Sequence, residues 1–293
     1  MASPTKLERL VIDNILLGTD FSPESQNALQ CAARLARRYD ASLFLTHILP
    51  TPNSVAAGES WPAVADAMRF SAEKGMADLE QQEALRSLRH QTLVRQGDVG
   101  EAFAQLVADE HIDLIVMGTH GDGGIKKLFL GSTAEKITRH AACPVLTVGP
   151  HVELTSSDRF SHILYATDFS AGSRRALSYA LALAEDDQAE LTLQHVIESK
   201  ALSDVEVLQW KHQSREKLGR MIPPDNDLAN APEVVVAAGT PEVEIVRLAD
   251  TRKADLLVMG SHRGGAMSTH LPWTTLHHVL RNAHCPVLTV RGE

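Results

Sequence analysis

Short apolar runs alternate with stretches of helical spacing along the whole 293-residue chain. In the first half, Arg9 to Leu17 reads as a strand. Pro23 to Tyr39 then reads as an amphipathic helix, because Ser22-Pro23 pairs an N-cap residue with a proline at the first helical position. Ser42 to Leu49 is a second strand, and "PTPNSVAAGESWP" after it reads as a surface loop over residues 50–65. Asp66 to Leu88 reads as a helix, Thr92 to Arg95 as a strand and Val99 to Asp109 as a helix. "DLIVMG" at Asp113 to Gly118 is the near-continuous apolar run of a strand buried on both faces. Ser132 to His140 and Cys143 to Val148 complete the half as helix and strand.

The second half repeats this plan, with a shorter segment after its second strand. "LLGTDFSPESQNALQCA" from Leu16 matches "LYATDFSAGSRRALSYA" from Leu164, which pairs Asp20 with Asp168. "SLFLTHI" matches "ELTLQHV" and pairs His47 with His195, and from Gly97 and Gly239 onward the copies run without a gap to "CPVLTV" in both. Two domains of one fold are expected, 1–150 and 157–293, joined by the polar connector "GPHVELTSSDR". Alternating strands and helices imply an α/β fold in which each domain is an open parallel five-stranded sheet covered by helices on both faces. If the strand order is 3-2-1-4-5, a ligand crevice opens where the order reverses, between the first and fourth strands. Thr19-Asp20 ends one of those strands and Met117-Gly118 the other.

The fourth strand leads into "MGTHGDGGIKKLFLGSTAEKI", Met117 to Ile137. The loop delivers Gly131-Ser132-Thr133 to a helix start, where unpaired N–H groups and the helix dipole favour an anion. Glycines at 118, 121 and 131 let a backbone approach phosphate oxygens closely. The spacing is neither that of a Walker loop nor that of the G-x-G-x-x-G fingerprint. In the second copy, "MGSHRGGAMSTHLPWTTLHHV", Gly260 is kept, but Arg263 stands for Gly121 and Trp273 for Gly131. An indole at the helix entrance competes with a triphosphate for space, so the second pocket is expected to be closed or altered, with Thr274 and Thr275 supplying capping hydroxyls.

Gly118, Gly121, Gly131 and Ser132 form G-x2-G-x9-G-[ST], which resembles the ATP-binding signature of the universal stress protein family. "TDFS", the strand-ending His47 and "CPVL" extend the resemblance over both halves. It implies a Rossmann-like fold of the nucleotide-binding alpha-hydrolase kind with strand order 3-2-1-4-5. It also implies ATP or another adenine nucleotide in the first domain: adenine on main-chain groups near Ile48, ribose and base contacts from Asp20 beside Thr19, and phosphates on Gly118, Gly121, Gly131, Ser132 and Thr133 after Met117. Where family members carry Arg or Lys after the second glycine this chain has Asp122, whose charge Lys126 and Lys127, or a bridging Mg2+, would offset. Single-domain members pair their last strands, so the two "CPVLTV" segments are expected to form an intramolecular pseudo-dimer, with a further homodimer open.

Other residues have blander readings. Asp20 alone would serve as a cap for the following turn, and Ser132 with Glu135 spells an S-x-x-E capping box. His47 and His195 read as packing or hydrogen-bonding residues. His262, His270, His277, His278 and His284 lack a completing carboxylate or cysteine, so no metal site is expected. Cys31, Cys143 and Cys285 read as reduced structural thiols.

A formal charge of −9 without a basic stripe argues against nucleic-acid binding, and no run approaches a membrane-spanning length. The cytosol is the expected compartment. No nucleophile with its base and no acid pair stands out, so no catalytic residue is assigned. The expected function is that of an ATP-binding stress or regulatory protein with an unidentified protein partner. The alternatives are a nucleotide-free interaction scaffold and a slow ATPase or autokinase.

Overall fold

The computed structural model describes residues 10–51, 61–119, 131–153, 157–199, 202–261 and 273–292, and the chain forms two compact units, one of Val11–Pro150 and the other from His151 onward together with the residues before Val11. The first unit carries β1 (Asn14–Gly18), α1 (Pro23–Tyr39), β2 (Ser42–Leu49), α2 (Trp61–Glu80), β3 (His90–Gln96), α3 (Val99–Asp109), β4 (Leu114–Gly118), α4 (Ser132–His140) and β5 (Val145–Val148). Its strands are parallel in the order β3-β2-β1-β4-β5. Right-handed crossovers set α1 and α2 on one face of such a sheet and α3 and α4 on the other, and α3 packs against α4.

The second unit runs β6 (His162–Ala166), α5 (Ala171–Asp187), β7 (Glu190–Ile197), α6 (Asp204–Met221), β8 (Glu233–Ala238), α7 (Pro241–Arg252), β9 (Leu256–Ser261), α8 (Trp273–Asn282) and β10 (Val287–Arg291). Its order, β8-β7-β6-β9-β10, is that of the first unit, again with parallel strands.

The central strands form the core because helices cover both of their faces. Ile15, Leu16 and Leu17 of β1 are fully buried, as are Ile115 and Val116 of β4 and Ile163, Leu164 and Tyr165 of β6. Each such aliphatic side chain stabilises the fold by ~1.5–3 kcal/mol relative to exposure. Helix starts follow local chemistry. The Ser22 hydroxyl accepts from Ser25 N–H ahead of α1, Ser170 accepts from Ser173 N–H ahead of α5, and Ser203 with Glu206 forms a full capping box ahead of α6. Gly97 and Gly239, where the repeat regains its register, have φ of 151° and 155°, a conformation that side chains disfavour.

Several element bounds differ from the sequence reading. β1 starts at Asn14 rather than Arg9, since the Asp13 and Asn14 N–H groups donate to the Asp113 carboxylate at 2.8 and 3.0 Å. α2 begins at Trp61, inside the expected loop, because Pro62 is tolerated in a first helical turn. It stops at Glu80 instead of Leu88, and a short 3-10 turn, Glu83–Leu85, follows. The face carrying Ala72, Met76 and Leu79 would place Leu85 on the wrong side of a continued helix; the turn buries it instead. β5 begins after Pro144, which has no N–H for a ladder.

Candidate functional site

Thr19 and Asp20 leave β1 through a tightly bonded turn. Thr19 N–H donates to the Thr46 carbonyl at 2.9 Å, and the Thr19 carbonyl accepts from His47 Nδ1 at 2.8 Å, which ties the turn to β2. A carbonyl only accepts, so Nδ1 carries the proton. The Asp20 carboxylate accepts from the Ser22 N–H and hydroxyl at 3.1 and 2.6 Å, so it shapes the turn as its blander reading expects. Phe21 between them has φ 66°, rare for a bulky residue, and its ring stacks on His47 at 4.7 Å. Such a conformation costs ~1–3 kcal/mol and persists where surroundings over-determine it. Ser25 closes the network, accepting from the Thr19 hydroxyl at 3.2 Å and donating to the Ser22 carbonyl at 2.8 Å. Sequence reasoning missed Phe21 and Ser25, although the twice-written S-x-x-S after "TDF" was their signal.

The second arm of the crevice leaves β4. Gly18 pairs with Met117, so the strand exits of Thr19-Asp20 and Gly118-Thr119 are adjacent. Met117 is buried, and Ile48, half-buried near the end of β2, pairs with Arg95. A Cβ on Gly118 would lie 3.2 Å from the Glu24 carbonyl carbon, so this glycine admits the first turn of α1. Residues 120–130, including Gly121, Asp122, Lys126 and Lys127, lie outside the described residues. Gly131 N–H donates to the Thr119 carbonyl at 2.8 Å, which ties the start of α4 to the exit of β4.

The expected capping box at Ser132 is not formed. Gly131 is the N-cap, without any side-chain cap, and its carbonyl accepts the first helical bond from Glu135 N–H at 2.9 Å. Ser132 thus becomes the first helical residue, and the Ser132 and Thr133 side chains are exposed. With Gly131 N–H engaged, the N–H groups of residues 132, 133 and 134 are those that the start of α4 offers to an anion.

In the second unit the same turn recurs. His195 Nδ1 donates to the Thr167 carbonyl at 2.8 Å, Asp168 accepts from Ser170 N–H at 3.0 Å, and Phe169, at φ 65°, packs on His195. Burial lowers the His195 pKa below the usual histidine value. A Cβ on Gly260 would fall 2.4 Å from Ser173 N, so this glycine too is required by packing. α8 begins at Trp273 itself, and Thr275 is buried with its hydroxyl directed to the Glu242 carboxylate at 3.5 Å, not capping the helix as expected. Arg263, His262, His270 and the Trp273 side chain lie outside the described residues. His284 Nδ1 is 2.9 Å from an Asp250 carboxylate oxygen. Burial pushes the Cys31, Cys143 and Cys285 thiols up to about 12.

Strand order β3-β2-β1-β4-β5 and its repeat, in each of which the order reverses between the first and fourth strands, define a tandem doubly wound α/β protein. The family model of the universal stress protein family matches residues 12–149 and again 159–291, and the chain belongs to that family. A universal stress protein of Mycolicibacterium smegmatis is 27% identical over 299 residues, covering 94% of this chain and 96% of the relative. One from Thermus aquaticus is 36% identical over 136 residues, 46% of this chain and 96% of its own length. A universal stress protein crystal structure from Archaeoglobus fulgidus superposes with a TM-score of 0.68 at 20% identity, covering 95% of this chain and 98% of that one, and shares its fold. Among the described residues no helix is long and apolar enough to cross a membrane.

Proposed function

We propose that the first unit binds ATP and that the protein acts in the cytosol as a nucleotide-dependent stress or regulatory protein. The observation that carries this reading is the start of α4. It has a glycine N-cap, exposed hydroxyls at Ser132 and Thr133, and a base bond that holds it beside the exits of β4 and β1. Phosphate would take the N–H groups of residues 132, 133 and 134, with Gly118 and Gly121 as further main-chain contacts. The nucleoside would lie along Thr19, Asp20 and Ile48, with Mg2+ as a counter-ion. Bound to the folded state alone, a ligand at a hundredfold excess over its Kd stabilises that state by ~2.7 kcal/mol. A rise in the thermal unfolding midpoint with ATP, lost in Gly131→Trp, is the expected result; an equal rise in the variant would remove phosphate from this helix.

The second unit, in this proposal, supplies a structural partner. Residues 1–150 and 157–293 expressed separately are expected to associate in size-exclusion chromatography, and folded halves that elute as monomers would count against it.

A further inference from the structure

The second unit contains a cavity of about 360 Å³ at the carboxyl ends of β6 and β7, a volume suited to a small organic molecule. One of its walls is chemically unfinished. Gln194 is 1% exposed; its Nε2 donates to the Glu244 carbonyl at 3.0 Å, while its Oε1 is buried without a hydrogen-bond partner. The carbonyl of Glu244 fixes the amide's orientation, since only the nitrogen can donate to it. In the first unit the same position is Thr46, whose hydroxyl donates to the Leu93 carbonyl at 3.2 Å and needs nothing further. A buried acceptor kept without a partner is a cost to the fold and marks a place where a donor is expected.

Three more side chains add acceptors to the cavity. Asp168 and Glu198 line it, and Glu198 stands where the first unit has Pro50. The bond from His195 Nδ1 to the Thr167 carbonyl leaves Nε2 as that ring's acceptor, and burial favours its neutral form. Among the described residues lining the cavity there is no lysine or arginine. The nearby Lys217 ammonium lies over the Phe169 ring, 3.9 Å from its centroid. The apolar walls differ from the first unit as well. There the Phe103 ring packs so closely on Gly18 that a Cβ would be 2.7 Å from it; here the pair is Ile245 and Ala166, and both line the cavity. Trp210 of α6 stands at its rim, 51% exposed.

We propose that this cavity is a binding site for a small planar organic cation, whose amidinium-like head donates to the Gln194 oxygen and the Asp168 carboxylate and whose apolar body lies between Ile245 and Trp210. Asp168 has its counterpart in Asp20 of the first unit, but Glu198 adds a second carboxylate where that unit has Pro50, which favours a cation over an anion in this cavity. The proposal does not depend on ATP binding by the first unit.

Benzamidine is the probe, titrated into the full chain by calorimetry and by tryptophan fluorescence, with benzoate and neutral benzamide as shape-matched controls. Saturable binding of one benzamidine per chain is expected, at least about tenfold tighter than benzamide and with none for benzoate. Asp168→Asn and Gln194→Thr, which writes in the first unit's residue, should each weaken binding about tenfold. Trp210→Ala, at an exposed position, should weaken binding and remove the fluorescence change even if the buried substitution impairs folding. Absence of saturable benzamidine binding, equal binding of benzoate, or unchanged affinity in both Asp168→Asn and Trp210→Ala would overturn the proposal.

Discussion

Gly118 and Gly260 stand near the ends of β4 and β9, where the neighbouring helix leaves little or no room for a side chain. The closer approach is at Gly260, where a Cβ would sit 2.4 Å from Ser173 N, against 3.2 Å for Gly118 and the Glu24 carbonyl carbon. Gly260→Ala is therefore expected to destabilise by about 1–3 kcal/mol and Gly118→Ala by less, read from urea midpoints. The packing role explains why the second copy keeps this glycine while losing the next two of the signature. Lys136 bonds the Asp98 carboxylate at 2.6 Å and holds its pKa below 3.8, with the Glu101 N–H adding to the effect. A depressed carboxylate pKa contributes stability that is fully present above the unfolded value and is lost as pH falls through the folded value. NMR titration should find the Asp98 midpoint below 3.8, and Lys136→Met should raise it.

At the scale of elements, α4 is the part that gives the first crevice its chemistry, and its start depends on Gly131. Tryptophan there, as at Trp273 in the second copy, should abolish ATP binding in filter assays while far-UV circular dichroism stays unchanged, because the Gly131 N–H bond to the Thr119 carbonyl is a backbone contact. Much of this architecture was legible in the sequence. Ser22-Pro23 located the start of α1, the apolar run at β4 located a strand buried on both faces, and the repeated "TDFS" placed the turn after β1. What escaped depended on tertiary partners. Leu85 looks like one more turn of α2 until the burial of Leu79 is known. Ser132 spells a capping box but lies one residue inside the helix, because the Gly131 carbonyl accepts the first helical bond. Gln194 stands out only once the fold sets its amide nitrogen on the Glu244 carbonyl and buries its oxygen without a hydrogen-bond partner.

Over the whole molecule, one fold is written twice and its two crevices carry different chemistry. The first joins a glycine-capped helix start to the Thr19-Asp20 turn; the second keeps the turn, puts Trp273 at the helix start and adds Glu198 and Gln194 to the cavity. The central claim is that only the first of these accepts ATP. Calorimetric titration of ATP with Mg2+ into the full-length protein tests it most directly. The account predicts one nucleotide per chain, with the heat abolished by Gly131→Trp. Two equivalent sites, or no binding by a folded wild-type chain, would contradict it.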